Sequence, residues 1–366
     1  MCIDKQLNSE LNLFRKDLLV NFNDRILITG ASGFIGSKVV ETLLRYGFTN
    51  LRCFVRKSSD LKSFNEIAGS YSVNNEIEFE MIYGNLLSRD DCIRAVKDVS
   101  IIFHLAAGVE KSFPGAYMNS VVTTRNLLEA VLKHGSIKRF LNVSSFAAYS
   151  NMRMKRGALL DETCDTESHS ASRGEAYCYG KVKQDELVLE YGEKYKIPYV
   201  LVRPGVVFGP GKKAITGRVG IDTFGFFLHL GGSNKIPFTY IDNCAEAIVL
   251  AGIKKGVDGE IFNIVDDNLP TSRKFLRMYK KNVGFFRSLY VPYRMFYLFS
   301  YLWEKYSDWS NGQLPPVFNR YRCAADWKGN RYSNKKLKEL LGWTPRVPFD
   351  EALEKYFQYQ REAKRS

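Results

Sequence analysis

Cysteine is scarce and unpaired in this sequence. Seven occur in 366 residues, at 2, 53, 92, 164, 178, 244 and 323, with no CxxC pair and an odd count. That argues against a disulfide framework or a cysteine-held metal site, and it fits a cytoplasmic, reducing setting with buried thiols. Zinc-finger spacing and nucleic-acid aromatic motifs are also missing. The net charge of +14 therefore speaks for a solvated basic surface or an anionic small ligand rather than for nucleic acid. No apolar run reaches the roughly 20 residues that a membrane-spanning helix needs. Near the start, Asp4, Lys5, Glu10, Arg15 and Lys16 leave no room for the apolar core of a secretory leader. Leu7, Leu11, Phe14 and Leu18 instead recur at helical spacing and predict an amphipathic extension over 1–22. It is expected to pack on the body or on a second subunit, with contact to a membrane surface as the lesser alternative.

What is present is a chain of ordinary globular composition, 45% hydrophobic and 25% charged, long enough for one large domain or two moderate ones. Short apolar runs alternate with helical patterns. Strands are predicted at 25–29, 51–55, 78–82, 100–105, 137–144 and 198–203. Helices are predicted at 37–46, 90–97, 118–134 and 175–195. This alternation predicts an α/β fold with a parallel, doubly wound sheet over 23–205. After about residue 205 Gly and Pro become frequent, and 206–366 is expected to form a smaller, mixed C-terminal lobe. A predicted helix at 242–254 and strand at 260–265 place parts of 237–265 back on the first domain.

The stretch TGASGFIG at 29–36 sets Gly30, Gly33 and Gly36 between a strand and a helix. Glycines admit close approach to the backbone, and a helix N-terminus offers free N–H groups, so a pyrophosphate is the expected occupant. An NAD-preferring dinucleotide fold places an acid about 20 residues further on. Here that position is Arg56, in FVRKSSD. Arg56, Lys57 and Ser58 suit a 2′-phosphate, and NADP(H) is favoured over NAD(H), with Asp60 a little beyond as the counter-argument.

Proton transfer beside a nicotinamide calls for a tyrosine with a lysine one turn later, because the ammonium lowers the phenol pKa. EAYCYGKVKQDELVLEY offers Tyr177 with Lys181 and Tyr179 with Lys183. Leu187, Val188 and Tyr191 continue the face of Lys181, whereas Glu186, Glu190 and Glu193 continue that of Lys183. The first pair is the one expected to point inward.

With these residues in view, the chain resembles an extended short-chain dehydrogenase/reductase of the epimerase/dehydratase/3β-hydroxysteroid dehydrogenase group, that is, a Rossmann-type fold. TGASGFIG, HLAA at 104–107, SSFAAY at 144–149, YCYGK, RPGVVFGPG at 203–211 and GWTP at 342–345 follow the family's order, over about 24–355. The resemblance implies a catalytic set of Ser145, Tyr177 and Lys181, with Ser144 as runner-up to Ser145. It implies cofactor contacts from Gly30, Ser32, Gly33, Phe34, Ile35, Gly36, Arg56, Asn85, Leu86, Leu105, Ala106, Ala107 and Pro204, besides Tyr177 and Lys181. Asn85 stands where the family usually has an adenine-binding Asp. Asn119 matches a structural family asparagine. His104 is expected to line the cofactor or the sheet rather than to do acid–base work. A homodimer follows by analogy alone.

Departures narrow the reaction. Phe146 and Ala147 follow Ser145 where dehydratases and decarboxylases carry an acid. Val206 and Pro237-Phe238 replace residues that grip a nucleotide sugar. The segment 288–309, dense in aromatics, is expected to be a packed lobe helix, or else an apolar wall or membrane-touching surface. The leading expectation is an NADP(H)-dependent oxidoreductase that interconverts a secondary alcohol and a ketone on a bulky, partly apolar substrate. An epimerase of nucleotide-linked or lipid-linked sugars is the alternative, and a non-catalytic NADP-binding scaffold the remote one.

Overall fold

Seven short apolar runs lie side by side as parallel strands in a single sheet. They are β1 (Ile26–Thr29), β2 (Asn50–Val55), β3 (Glu78–Tyr83), β4 (Ile101–His104), β5 (Arg139–Val143), β6 (Tyr199–Pro204) and β11 (Ile261–Ile264). The spatial order is β11-β6-β5-β4-β1-β2-β3, with every adjacent pair parallel. The structure is a computed structural model describing residues 16–72, 78–108, 110–212, 215–223, 225–311, 313 and 317–365. The helix expected from Leu7, Leu11 and Phe14 lies outside those residues. Beyond it, Leu18 and Val20 are buried in the core, and Leu18 pairs with Lys254 in an antiparallel bridge.

The strands β1, β4 and β5 are buried at every position. Their sequences are predominantly apolar because helices cover both faces of the sheet, with Thr29, His104, Arg139 and Asn142 as buried polar members. On one face, α1 (Phe34–Arg45), α2 (Lys62–Ser72) and α6 (Ile241–Ile253) meet Ile26, Ile28, Phe103, Leu141 and Val200. On the other, α3 (Arg89–Val96), α4 (Thr123–His134) and α5 (Ala176–Tyr195) meet Leu27, Ile102, Phe140 and Leu201. Successive strand residues thus feed opposite cores, as the pleat requires. In α1 the buried residues Gly36, Val39, Val40, Leu43 and Leu44 fall at the i, i+3, i+4, i+7 and i+8 spacing of one helix face.

After β6 the chain leaves the sheet and then returns to it through α6 and β11. Its lobe contains β7 (Val206–Phe208) paired with β10 (Phe238–Tyr240), and a small sheet of β8 (Gly220–Thr223), β9 (Phe226–His229) and β12 (Ser288–Tyr290). Helices α7 (Ser272–Asn282), α8 (Tyr293–Trp309), α9 (Arg320–Trp327), α10 (Lys335–Leu341) and α11 (Phe349–Arg365) complete it. Phe208, Phe238, Phe275, Tyr279, Tyr356 and Phe357 form the lobe's aromatic core.

Three details differ from the sequence expectation. Helix α1 begins at Phe34, so Gly36 lies inside its first turn. The helix expected over 118–134 opens with a π-helical turn at Tyr117–Val122 before α4, a feature that recurs at functional sites. Helix α2 was not anticipated, although Phe64, Ile67, Ala68 and Tyr71 pack on the core at helical spacing.

Candidate active site

The glycine turn occupies the crevice where the sheet order reverses, between β1 and β4. Gly30 has φ +70, a conformation that side chains rarely tolerate. A Cβ on Gly30 would sit 3.1 Å from the Ala106 nitrogen. A Cβ on Gly36 would sit 2.9 Å from the Gly30 carbonyl carbon and 3.0 Å from Ala31 Cα. The turn and helix therefore close on each other only as glycines. Helix α1 starts with no side-chain cap and no acid in its first turn, leaving its positive end for an external anion. These features fit a dinucleotide pyrophosphate.

Two cavities meet over this turn and share Gly30, Gly33, Leu105 and Ala107. The first, about 550 Å³, brings Phe34, Ile35 and Gly36 together with Ser145, Tyr177 and Lys181, and it ends against Phe208, Phe238, Phe275 and Tyr356 of the lobe. The second, about 450 Å³, holds Ser32, Arg56, Ser59, Asn85, Leu86, Ala106 and Asn119. Of the residues singled out from the sequence, Lys57, Ser58 and Pro204 line neither cavity; Pro204 is buried at the end of β6. Asp60 is engaged elsewhere, accepting from the Lys62 N–H at the start of α2 at 2.9 Å. Asn85 uses its side-chain oxygen to accept from the Leu87 N–H at 3.0 Å. Asn119 donates to Glu110 at 3.0 Å. His104 is fully buried within the sheet, away from both cavities.

The Ser-Tyr-Lys residues come from the end of β5 and the first turns of α5. Ser145 accepts from the Ala147 N–H at 3.1 Å and is hydrogen-bonded to the Tyr177 hydroxyl. Burial pushes the Tyr177 phenol up, and the Ser145 bond opposes it; in this arrangement burial, rather than the lysine charge, sets the direction. Lys181 is buried and donates to the Val143 carbonyl at 2.6 Å and to the Gln184 side chain at 2.9 Å. Burial lowers its pKa to about 8. The competing pair is placed otherwise. Tyr179 packs on Phe113 and Tyr117, and Lys183 forms an exposed ion pair with Glu186 at 2.7 Å. Ser144 is committed to Asp185, donating at 2.8 Å.

Beneath this set lies a buried ion pair that sequence reasoning missed. Asp185 accepts from Arg203 at 3.0 and 3.1 Å, and Arg203 lies over the Tyr149 ring at 4.6 Å. Asp185 and Gln184 stand four and three residues after Lys181, on its own face of α5. Their inward placement was thus legible in the spacing. The strand residue Arg203 carried no such signal.

A model of the NAD dependent epimerase/dehydratase family matches residues 26–265. The chain belongs to that family. This family member is an enzyme of the extended short-chain dehydrogenase/reductase group. Among its similar relatives is the decarboxylating sterol-4-alpha-carboxylate 3-dehydrogenase of Mus musculus, 25% identical over 351 residues, covering 90% of this chain and 89% of that one. A trifunctional UDP-glucose 4,6-dehydratase/3,5-epimerase/reductase of Arabidopsis thaliana is 30% identical over 258 residues, which is 65% of this chain but only 36% of the plant protein. The UDP-glucuronic acid 4-epimerase of Bacillus cereus, solved with UDP-glucuronic acid and NAD, shares the fold with a TM-score of 0.68 at 21% identity, covering 93% of this chain and 99% of that one. Among the described residues, no helix is long and apolar enough to cross a membrane.

Proposed function

We propose that the protein is an NADP(H)-dependent oxidoreductase interconverting a secondary alcohol and a ketone on a bulky, partly apolar substrate. The observation that carries this reading is the first cavity, which joins Ser145, Tyr177 and Lys181 to an aromatic wall of Phe208, Phe238, Phe275 and Tyr356. The mouse sterol dehydrogenase, similar along nearly its whole length, supports the same substrate class. The bound nicotinamide supplies the hydride donor or acceptor. Tyr177 gives or takes the proton of the reacting oxygen. Ser145, which lines the same cavity and is hydrogen-bonded to the Tyr177 hydroxyl, orients that hydroxyl toward the reacting oxygen. Lys181 presents its remaining N–H to the cavity for the cofactor's ribose. The glycine turn and the open end of α1 seat the pyrophosphate.

NADP(H) is favoured because Arg56 and Ser59 line the second cavity while Asp60 caps α2. Lys212, which lines the first cavity and stands over the Phe34 ring, supports the second reading, an epimerase whose substrate carries a diphosphate. We also propose that α8 rests on an anionic membrane surface. Met295, Leu298, Phe299, Leu302, Tyr306 and Trp309 form one exposed stripe along it, more continuous than scattered surface residues. Exposed Arg294 and Lys305 flank the stripe on one side, near exposed Asp308, and the two cations complement acidic lipid.

The decisive experiment identifies by mass the nucleotide released on denaturation, and then compares Tyr177→Phe with Tyr179→Phe in turnover of a sterol 4α-carboxylate and of UDP-glucuronic acid. Net NADPH formation from the sterol, lost in Tyr177→Phe alone, is the expected result. Retained cofactor with sugar turnover and no net redox would replace the lead reading by the epimerase. Failure to bind any nicotinamide nucleotide would remove both.

A further inference from the structure

We propose that Gln184 and His104 are positioning residues. They hold the Lys181 ammonium through a buried relay running from α5, across α4 and β4, to the strand that opens the glycine turn. The proposal rests on the reading of Lys181 as the cation that meets the cofactor.

An ammonium has three N–H donors and no acceptor. Lys181 spends one on the Val143 carbonyl at 2.6 Å and one on Gln184 Oε1 at 2.9 Å. Two fixed bonds leave the third proton one direction, toward the cavity that Lys181 lines. Because Gln184 accepts with its oxygen, its nitrogen must donate onward, and it does so to Thr124 Oγ1 at 2.8 Å. Thr124 has a single hydroxyl proton and gives it to the Ser120 carbonyl at 2.5 Å. Its oxygen is then purely an acceptor, so His104 Nε2, also 2.8 Å away, must carry a hydrogen. Neutral imidazole keeps Nδ1 as the acceptor, which receives the Thr29 hydroxyl proton at 2.8 Å. Thr29 Oγ1 in turn accepts from the Ala106 N–H at 3.3 Å.

Every proton in the relay therefore has one permitted direction. Turning the Gln184 amide would set its N–H groups against the ammonium. Thr29, His104, Thr124 and Gln184 are all fully buried, so their polar atoms are satisfied within the protein by one another and by the backbone. Burial holds His104 neutral, its pKa lowered to about 3 with Lys181 as a second cause. The relay ends on Thr29, next to Gly30, and on Ala106 in the wall of the second cavity. One polar chain thus fixes the lysine relative to both halves of the dinucleotide site, while neither Gln184 nor His104 lines either of the two cavities.

Two NMR measurements on the full chain test this without a substrate. The first is the ¹⁵N shift pattern of the His104 ring between pH 5 and 9, expected to be the Nε2–H tautomer throughout. An Nδ1–H tautomer, or titration in that range, would overturn the relay. The second is the titration of the Lys181 ε-carbon in wild type, Gln184→Met and Gln184→Glu. Losing the amide acceptor should lower the Lys181 midpoint, and gaining a carboxylate should raise it, each by about one pH unit. The groups facing Lys181 (Tyr177, Asp185 and His104) are unchanged in both variants. A merely structural role would lower thermal stability and leave both midpoints at the wild-type value, and that result sinks the proposal even if one variant folds poorly. NADPH binding by the wild type, followed separately, tests the functional reading: its absence with the relay intact would refute that reading and not the proton directions.

Discussion

Gly36→Ala is the sharpest perturbation of the dinucleotide site, because the same substitution elsewhere should have the opposite sign. In a helix interior, alanine is favoured over glycine by about 1 kcal/mol. At Gly36 the added Cβ would be 2.9 Å from the Gly30 carbonyl carbon and 3.0 Å from Ala31 Cα. Both are backbone atoms and neither can rotate away. Relief requires α1 to move off the turn as a body, and α1 carries Val39, Val40 and Leu43, fully buried in the core. Overpacking of this kind costs typically 1–3 kcal/mol and occasionally more; taken at its upper end and offset by the helix gain, a net loss of about 2 kcal/mol is expected. Nicotinamide nucleotide affinity should fall at least tenfold, since the displaced Gly30 carbonyl anchors the Gly33 N–H at 3.0 Å. Gly69, in α2, has nothing within 4 Å of the corresponding position, so Gly69→Ala should stabilise by up to about 1 kcal/mol. Thermal unfolding and NADPH titration of the two variants read both effects. Equal shifts in the two, or a Gly36→Ala protein with wild-type stability and affinity, would refute the close-approach reasoning.

Arg56→Glu should reduce the ratio of NADPH to NADH affinity about tenfold or more, the scale of one charge-assisted bond to phosphate; an unchanged ratio on titration rejects Arg56 as the 2′-phosphate contact. Asp185→Asn leaves Arg203 buried without a counter-charge and should destabilise by about 3–5 kcal/mol in denaturant unfolding, whereas a change under 1 kcal/mol would mean that the pair is not what supports the floor of the site. Leu298→Glu with Leu302→Glu should abolish co-sedimentation with vesicles containing phosphatidylserine; loss of a dimer in sedimentation equilibrium, without vesicle binding in the wild type, would assign the α8 stripe to a second copy instead. Lys181 has a folded pKa of about 8, below its ordinary 10.5, because it is buried. Its charge, and with it NADPH affinity, should decline as pH rises through about 8. Over the window from about 8 to 10.5 the unfolded chain holds a proton that the folded one has released, so the burial cost of Lys181 fades and its contribution to stability improves with pH. Affinity that stays flat from pH 7 to 9.5 would detach Lys181 from the cofactor.

The central sheet was legible because its inner strands are buried on both faces and so read as short, predominantly apolar runs, from Ile26–Thr29 to Tyr199–Pro204. The glycine turn was legible because its chemistry is local: a strand, three glycines and a helix within a dozen residues. Choosing Tyr177 and Lys181 over Tyr179 and Lys183 used the one non-local signal that helices provide, the character of the same face two turns on, and the ion pair of Lys183 with Glu186 shows that face at the surface. Helix α2 was not anticipated, because the charged and small residues between Phe64, Ile67, Ala68 and Tyr71 masked their helical spacing. What the sequence does not display is any contact whose partners meet only after the sheet closes. Arg203 lies 18 residues from Asp185, and Thr124 lies 60 from Gln184. Each alone is an unremarked polar residue in an apolar setting. A buried polar group must find its partner somewhere, so Arg203 inside PYVLVR and His104 ending SIIFH each announced an unseen partner without naming it. The relay and the ion pair are those partners. Both converge on α5, where one helical face carries Lys181, Gln184 and Asp185, so the motif lysine is held by neighbours that the motif itself does not contain.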